Sequence, residues 1–128
     1  MLMSNPFSNL QKSNYIALTT YRKTGVAVTS PVWFAQVGES LYVVTEPHSG
    51  KMKRIRNNGQ VQVAPSTVRG KPLGPAADAQ ARELVSPAEC KAADDALNAK
   101  YGIQKKLFEL LWKFQKVSPT YVEVRGKA

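Results

Sequence analysis

A short helix predicted from Gly50 to about Asn57 carries its positive charges in its first turns. Ser49 is a suitable N-cap, and Asn58-Gly59 would end the helix. The cations are Lys51, Lys53, Arg54 and Arg56. This placement opposes the helix macrodipole, which favours acids at the N-terminus, and no acid lies at i,i+4 to pair with them. A bound phosphate would resolve the conflict, because helix N-termini and cations both attract one. A solvated basic face is the alternative.

The second stretch that suggests chemistry is an aromatic strand with an internal proline, Thr29-Ser30-Pro31-Val32-Trp33-Phe34. Proline cannot donate to a strand ladder, so it belongs on an edge strand or at a bulge. It marks either a plain edge strand or an interruption that leaves neighbouring N–H and C=O groups to a ligand. Trp33 and Phe34 point to opposite faces, so at most one of them belongs to the same core.

Charge gives the next indication of function. The chain has 18 Lys plus Arg against 9 Asp plus Glu, a net charge of +9, and no acid lies between Pro47 and Ala77. Such an excess attracts nucleic acid, an anionic membrane or an anionic small molecule. Aromatic residues among the cations would favour nucleic acid, but none lies between Lys51 and Lys71. We therefore expect an anionic small molecule, with no nucleic-acid partner.

Several classes of protein are not indicated. No window approaches the roughly 20 apolar residues of a membrane span, so no membrane association is expected. The single cysteine, Cys90, fits a reducing compartment and predicts a cytoplasmic protein. The lone His48 and Cys90 do not form a metal site of usual spacing, and neither a nucleophile motif nor a nucleotide-loop motif occurs. We predict no catalytic side chain and no metal, so an enzyme of this kind would take its reactive group from a cofactor.

The 128 residues read as one domain, 1–128, beginning with an antiparallel meander. A polar lead-in, Met3–Lys12, comes first. Ser86 and Glu89 form a capping box before one helix, and Ile103, Leu107, Leu110, Leu111 and Phe114 form the apolar stripe of another, which we expect to pack on the sheet. The predicted strands are Tyr15–Tyr21, Val26–Ala35, Leu41–Thr45, Gln60–Pro65, Ala77–Val85 and Thr120–Val124, and the first of these two helices is Pro87–Lys100.

The order of these motifs resembles the pyridoxamine 5′-phosphate oxidase-like flavin-binding family. It is most similar to the small branch described as probable deazaflavin (F-420-type) dependent enzymes. The resemblance covers nearly the whole chain. The motifs that carry it are Thr29–Phe34, Ser49-Gly50-Lys51-x-x-Arg54, Val63-Ala64-Pro65, Arg69-Gly70-x-Pro72-Leu73-Gly74 and Lys100-Tyr101-Gly102-Ile103-Gln104-Lys105.

This resemblance implies a mainly β fold with some α, a split β-barrel of about six antiparallel strands with helices at the rim. It also implies a homodimer that binds FMN or coenzyme F-420 in a groove at the dimer interface. By position, the cofactor ring would lie against Thr29, Ser30, Pro31, Val32 and Trp33, largely through backbone groups. Ser49, Lys51 and Arg54 would hold the phosphate, and Thr45, Ala64, Pro65 and Arg69 would line the rest of the groove.

The activity implied is hydride transfer between the cofactor and a small-molecule substrate, without an obligatory protein acid or base. The annotated pyridoxamine phosphate oxidases carry further substrate-binding residues near their C-terminus that have no match here, so vitamin B6 oxidation is not expected. The alternatives are a flavin carrier with the same site and no turnover, and a basic nucleic-acid-binding module.

Overall fold

Buried and outer residues alternate along six antiparallel strands that close into a barrel in the order β1-β2-β3-β6-β5-β4. The computed structural model describes residues 14–102, 106–107, 109–110, 113 and 119–126. The elements are β1 (Tyr15–Tyr21), β2 (Ala27–Val37), β3 (Ser40–Thr45), α1 (Gly50–Asn57), β4 (Gln60–Ser66), β5 (Ala77–Glu83), α2 (Pro87–Tyr101) and β6 (Thr120–Gly126).

The barrel interior is filled by the inward-facing side chains of all six strands, which form one apolar cluster. Helix α1 adds Met52 and Ile55 to this cluster, so it packs its apolar side onto the barrel. Helix α2 lies outside, where Leu97 and Tyr101 pack against Ala35 of β2. The two aromatics of β2 separate as predicted: Phe34 is fully buried in the barrel, whereas Trp33 lies on the outer face.

Strand β2 changes its hydrogen-bonded neighbour half-way along. Residues 27–33 pair with β1, from Ala27 opposite Tyr21 to Trp33 opposite Tyr15. Only residues 34–37 pair with β3, from Phe34 opposite Val43. Within the parts of the chain that the structure describes, no strand pairs with the other edge of residues 27–33. We call this edge the open edge of β2.

Tyr101 occupies the point where β2 changes neighbour. The β1–β2 register would place Asn14 opposite Phe34. Instead the Tyr101 hydroxyl accepts from the Phe34 N–H (3.0 Å) and lies 2.7 and 2.8 Å from the carbonyl oxygens of Asn14 and Phe34, to one of which it donates. Burial raises the pKa of Tyr101 to about 12, which keeps this donor protonated. Its ring also stacks on Trp33, with centroids 4.5 Å apart.

The two prolines inside strands lie where their strand has a hydrogen-bonded neighbouring strand on one side only. In an antiparallel pair the N–H and C=O of one residue face the same neighbour, and this direction alternates along the strand. Because the backbone groups of Phe34 face the β1 side, those of Pro31 face the open edge, where the missing donor costs no ladder bond. Pro65 likewise faces away from β1, and its carbonyl accepts from Leu73 N–H instead (2.7 Å). Pro31 is thus an edge residue within a regular register.

The six predicted strands and the helices α1 and α2 are confirmed, with small shifts at their ends. Strand β2 runs two residues past Ala35, because the turn needs only Gly38 and Glu39, and Gly38 adopts a positive φ of 60°. Ser49 and Ser86 cap their helices as predicted.

Two predictions fall wholly or mainly outside the described residues: the lead-in Met3–Lys12 and most of the apolar stripe that begins at Ile103. Two members of the stripe, Leu107 and Leu110, are described as helical and are 62% and 65% exposed, so at these positions the stripe does not pack on the sheet. No helix among the described residues is long and apolar enough to span a membrane.

We expect Tyr101→Phe to lower the free energy of unfolding by about 1–3 kcal/mol, because it leaves the buried Phe34 N–H without its acceptor. Urea denaturation followed by circular dichroism measures the change. Tyr42→Phe is the control, since no hydrogen bond involves the Tyr42 hydroxyl among the described residues, and it should change stability by less than about 0.5 kcal/mol. Equal effects of the two substitutions would contradict the role given to Tyr101.

Candidate cofactor-binding groove

The N-terminus of α1 is built around Ser49. The Ser49 Oγ accepts from the Met52 N–H at 3.3 Å, which satisfies one of the free donors of the first turn. The Thr45 hydroxyl, buried at the end of β3, lies 3.5 Å from the same Oγ. The helix start is therefore fixed to the end of a barrel strand.

Arg54 folds back toward this helix start. A Cβ added at Gly50 would lie 2.8 Å from Arg54 Nη1, so glycine at this position allows the guanidinium to lie over the first turn. The Arg54 Nε donates to Thr20 Oγ1 at 2.6 Å, which ties the same side chain to β1. Arg54 thus lies at the N-terminus of the helix although its Cα is one turn further on.

Lys51 and Arg54 form a pair of like charges at this terminus. Lys51 is half-buried, and its pKa is lowered by that burial and by the Arg54 cation, with Glu46 acting in the opposite direction. Both effects destabilise the charged lysine, and the positive end of the helix dipole adds to them. An anion placed here would reverse the balance, because it pairs with both cations and with the free N–H groups of the first turn.

A separate ion pair holds α1 in place from its other end. Arg56 makes two hydrogen bonds of 2.8 Å with the Glu83 carboxylate and a third of 2.8 Å with the carbonyl of Pro47. Thr120 Oγ1 also donates to Glu83, at 2.6 Å. Glu83 on β5 therefore connects the last turn of α1 with β6. Arg56 also connects this last turn with the turn that precedes the helix. The pKa of Glu83 is lowered, chiefly by its hydrogen bond with Arg56.

The open edge of β2 lies next to the cations. The β2–β3 register, continued past Phe34, would bring Thr45 opposite Val32, and the start of α1 at Ser49 is joined to Thr45. Along this edge Thr29 presents its N–H and C=O, and Pro31 presents a carbonyl without an N–H. The groove thus offers backbone acceptors and donors along one side and two cations at one end.

A loop formed by residues 67–73 covers the outer face beside Pro31. Gly70 has a φ of 89°, and a Cβ there would lie 3.2 Å from Pro31 Cδ, so the loop approaches the strand closely at this point. Hydrogen bonds of 3.0 Å, from Thr67 N–H to the Lys71 carbonyl and from Gly70 N–H to the Thr67 carbonyl, hold its shape. The adjacent Arg69 is exposed. The loop therefore places a further cation near the open edge.

The structure gathers most of the predicted site residues but separates two of them. Thr45, Ser49, Lys51 and Arg54 meet at the start of α1, while Thr29, Pro31 and Arg69 lie along the open edge or beside it. The inner face of β2 carries Ser30 and Val32, which share it with Phe34; Val32 is only 7% exposed, so a ligand outside would meet its backbone. Trp33 gives one ring face to Tyr101.

Ala64 and Pro65 lie on β4, with β1 between them and β2, and both are buried. Their part in binding stays a prediction, as do the contacts of the other site residues with a cofactor. Three residues were not predicted from the sequence. Thr20 accepts a hydrogen bond from Arg54, Gly50 leaves room for the Arg54 guanidinium, and Glu83 pairs with Arg56.

Comparison with known proteins rests on structure, because no protein-family model and no curated protein sequence matches the chain. A candidate pyridoxamine 5′-phosphate oxidase from Listeria innocua matches with a TM-score of 0.61 and 14% identity, over 93% of this chain and 88% of that one. A protein named F-420 reductase matches with a TM-score of 0.59 and 22% identity, over 99% and 97%. The heme storage protein HutZ from Vibrio cholerae matches with a TM-score of 0.71 and 15% identity, over 100% and 92%.

The chain has the split-barrel fold of these proteins. The fold implied by the sequence resemblance is thereby confirmed. Identities of this size establish the fold alone, and the names of the three proteins show that one barrel serves different ligands. The function of this chain has to be argued from its own groove.

We expect Ser49→Asp to separate folding from anion binding. Aspartate is as good an N-cap as serine and suits the helix dipole, and its carboxylate would neutralise Lys51 and Arg54, so stability in urea should be equal or higher. Inorganic phosphate, which should raise the Tm of the wild-type protein, should then have little effect. Ser86→Asp is the matched control at the cap of α2 and should leave the phosphate effect unchanged. An undiminished phosphate effect in Ser49→Asp would place the anion elsewhere.

Proposed function

We propose that the chain is an oxidoreductase that binds FMN or coenzyme F-420 in the groove between the open edge of β2 and the start of α1. The observation that carries this proposal is the pair of cations, Lys51 and Arg54, held together at a capped helix N-terminus. No acid lies between Pro47 and Ala77 to neutralise them. Proteins named F-420 reductase and candidate pyridoxamine 5′-phosphate oxidase have the same fold, which supports this choice of ligand.

The groove suits both parts of such a cofactor. Its phosphate would accept from Ser49, Lys51, Arg54 and the N–H groups of the first turn of α1. The flat ring would lie against the open edge, where Thr29 offers an N–H and the carbonyls of Thr29 and Pro31 accept. Because no described strand pairs with the edge of β2 at Pro31, a ring could lie there, whereas a paired strand would exclude it.

The bound cofactor supplies hydride transfer to or from a small-molecule substrate. The chain contributes binding and orientation, because the edge of β2 fixes the plane of the ring while α1 fixes the phosphate. Lys51 and Arg54 also make the groove positive, which favours the more negative redox state of whatever is bound.

Coenzyme F-420 is slightly favoured over FMN. The loop of residues 67–73 carries Arg69 and Lys71, both exposed, beside the open edge. These two cations suit the longer anionic tail of the deazaflavin coenzyme, whereas FMN ends at its single phosphate. Titration with each cofactor decides between them.

We also infer that the working form is a homodimer in which a second copy covers the groove. The open edge of β2 is one incomplete surface of the single chain. Apolar side chains on another surface are exposed as well: Leu107 and Leu110 are exposed three residues apart on one helix face. A second copy would bury apolar surface of this kind.

Lys51→Ala should weaken cofactor binding by about 10- to 100-fold, the loss expected for one charge-assisted hydrogen bond. Fluorescence quenching and polarisation, in separate titrations with FMN and coenzyme F-420, give Kd. Lys53→Ala is the matched control: it removes the same charge from the same helix at an exposed position, and binding should change less than about threefold. Equal losses in the two variants would show only a long-range charge effect, against the proposed site.

Sedimentation velocity tests the dimer. The sedimentation coefficient of the wild-type protein should correspond to a mass twice the 14.1 kDa of one chain. Leu110→Glu should shift it toward the monomer, because a carboxylate would be buried without a partner. Lys106→Glu on the same helix introduces the same group at an exposed position and should leave the dimer intact if the apolar face is what matters. A wild-type monomer would refute this part of the proposal.

A further inference from the structure

A second cavity, of about 720 Å³, lies at the other end of β2, between that strand and the last turns of α2. Its volume is within the range of small-molecule sites. Its wall is mixed: Ala35, Val37, Ala96 and Ala99 give apolar surface, Gln36 and Glu39 are polar, and the Phe34 side chain behind them is itself fully buried. None of the residues assigned to the cofactor groove lines it, so it is a separate site.

One amine lines this cavity. Lys100 extends from the last turn of α2, and its Nζ lies 3.4 Å from the ring centroid of Phe34. The ring attracts the ammonium and fixes the position of the nitrogen. Burial acts more strongly in the opposite direction and lowers the pKa of Lys100 to about 8. A sizeable fraction of this amine is therefore uncharged near neutral pH, which an exposed lysine with a pKa above 10 does not achieve.

The same cavity has an acceptor that lacks a donor. Gln36 lines it, and the Gln36 Oε1 is buried with no hydrogen-bond partner among the described residues. The Gln36 Nε2 donates to the Gly38 carbonyl at 3.4 Å, which fixes which side of the amide is the oxygen. A buried acceptor without a partner is costly, and a ligand hydroxyl or N–H would satisfy it.

We propose that this cavity binds small aldehydes or ketones with an apolar body and a hydrogen-bond donor, and that Lys100 forms an imine with their carbonyl carbon. The apolar part of the wall accommodates the body of the ligand, and Gln36 Oε1 accepts from its donor. The site is independent of the proposed cofactor groove.

Imine formation by Lys100 needs no co-reactant. The lone pair of the neutral Lys100 nitrogen attacks the carbonyl carbon, the carbonyl oxygen takes up a proton from solvent and the nitrogen releases one to solvent, which gives the neutral carbinolamine. A second proton from solvent lets the hydroxyl leave as water while the C=N bond forms, and the remaining N–H proton then passes to solvent. Neither oxidation nor reduction is involved. A desolvated lysine in an apolar pocket is the usual nucleophile for this reaction.

The test uses 4-hydroxybenzaldehyde as the probe at pH 7.5, with sodium cyanoborohydride to trap the imine and peptide mass spectrometry to locate the adduct. At this pH about a quarter of an amine of pKa 8 is neutral, against about one part in a thousand for an ordinary lysine. We expect Lys100 to be labelled at least about 10-fold faster than Lys91, which lies on the same helix, is exposed and has its pKa raised by a hydrogen bond from its ammonium to Asp95.

The labelling rate at Lys100 should saturate as the concentration of the probe rises. Benzaldehyde, which lacks the hydroxyl, should need a several-fold higher concentration to reach half of its maximal rate.

Ala99→Leu fills the cavity from an exposed helix position and leaves Lys100 itself unchanged, and it should lower the rate at Lys100 about 10-fold or more. Ala92→Leu, exposed on the same helix outside the cavity, is the matched control and should leave the rate unchanged. Labelling of Lys100 no faster than Lys91 overturns the proposal, and so does a rate that rises linearly with the probe or is indifferent to Ala99→Leu. Cofactor titration of the same samples is unaffected by either result, so this test and that of the groove fail separately.

Discussion

The arrangement of this protein depends on how strand β2 satisfies its backbone hydrogen bonds. Every buried N–H and C=O needs a partner, and a strand in a closed barrel usually finds one on both sides. Here residues 27–33 have β1 on one side and residues 34–37 gain β3 on the other, so the barrel is closed by only part of this strand. Tyr101 supplies the missing partner at the change-over, and the loop of residues 67–73 approaches the strand at Pro31, beside the remaining edge.

Electrostatics make the empty groove less favourable than the filled one. Lys51 and Arg54 are brought together against their mutual repulsion and against the helix dipole, and burial adds to the cost for Lys51. The barrel core and the Arg56–Glu83 pair compensate, because they fix α1 from its apolar side and from its last turn. The structure therefore brings two cations together, with Glu46 as a partial counter-charge for Lys51, an arrangement that an added phosphate would stabilise.

Local patterns were sufficient for the elements, and the family resemblance implied the barrel, but the contacts between distant segments could not be predicted. Strand alternation, Ser49 and Ser86 as caps, and the charge conflict of α1 are local properties, so they can be read within a few residues. The bond between Arg54 and Thr20 joins residues 34 apart, and the partner of Arg56 lies 27 residues away on β5. Such pairs follow from barrel closure, which no local pattern contains. The same holds for the half-paired state of β2: Pro31 indicated an edge, but only the register shows on which side.

The position of Pro31 has a consequence for the solubility of the protein. An exposed strand edge is a template on which a stray strand from another chain can add, the first step toward aggregation. Residues 27–33 form such an edge in the single chain. An incoming strand would need the N–H of residue 31 for a continuous ladder, and proline has none. Pro31 therefore leaves the edge exposed while making it a poor partner for a second polypeptide strand.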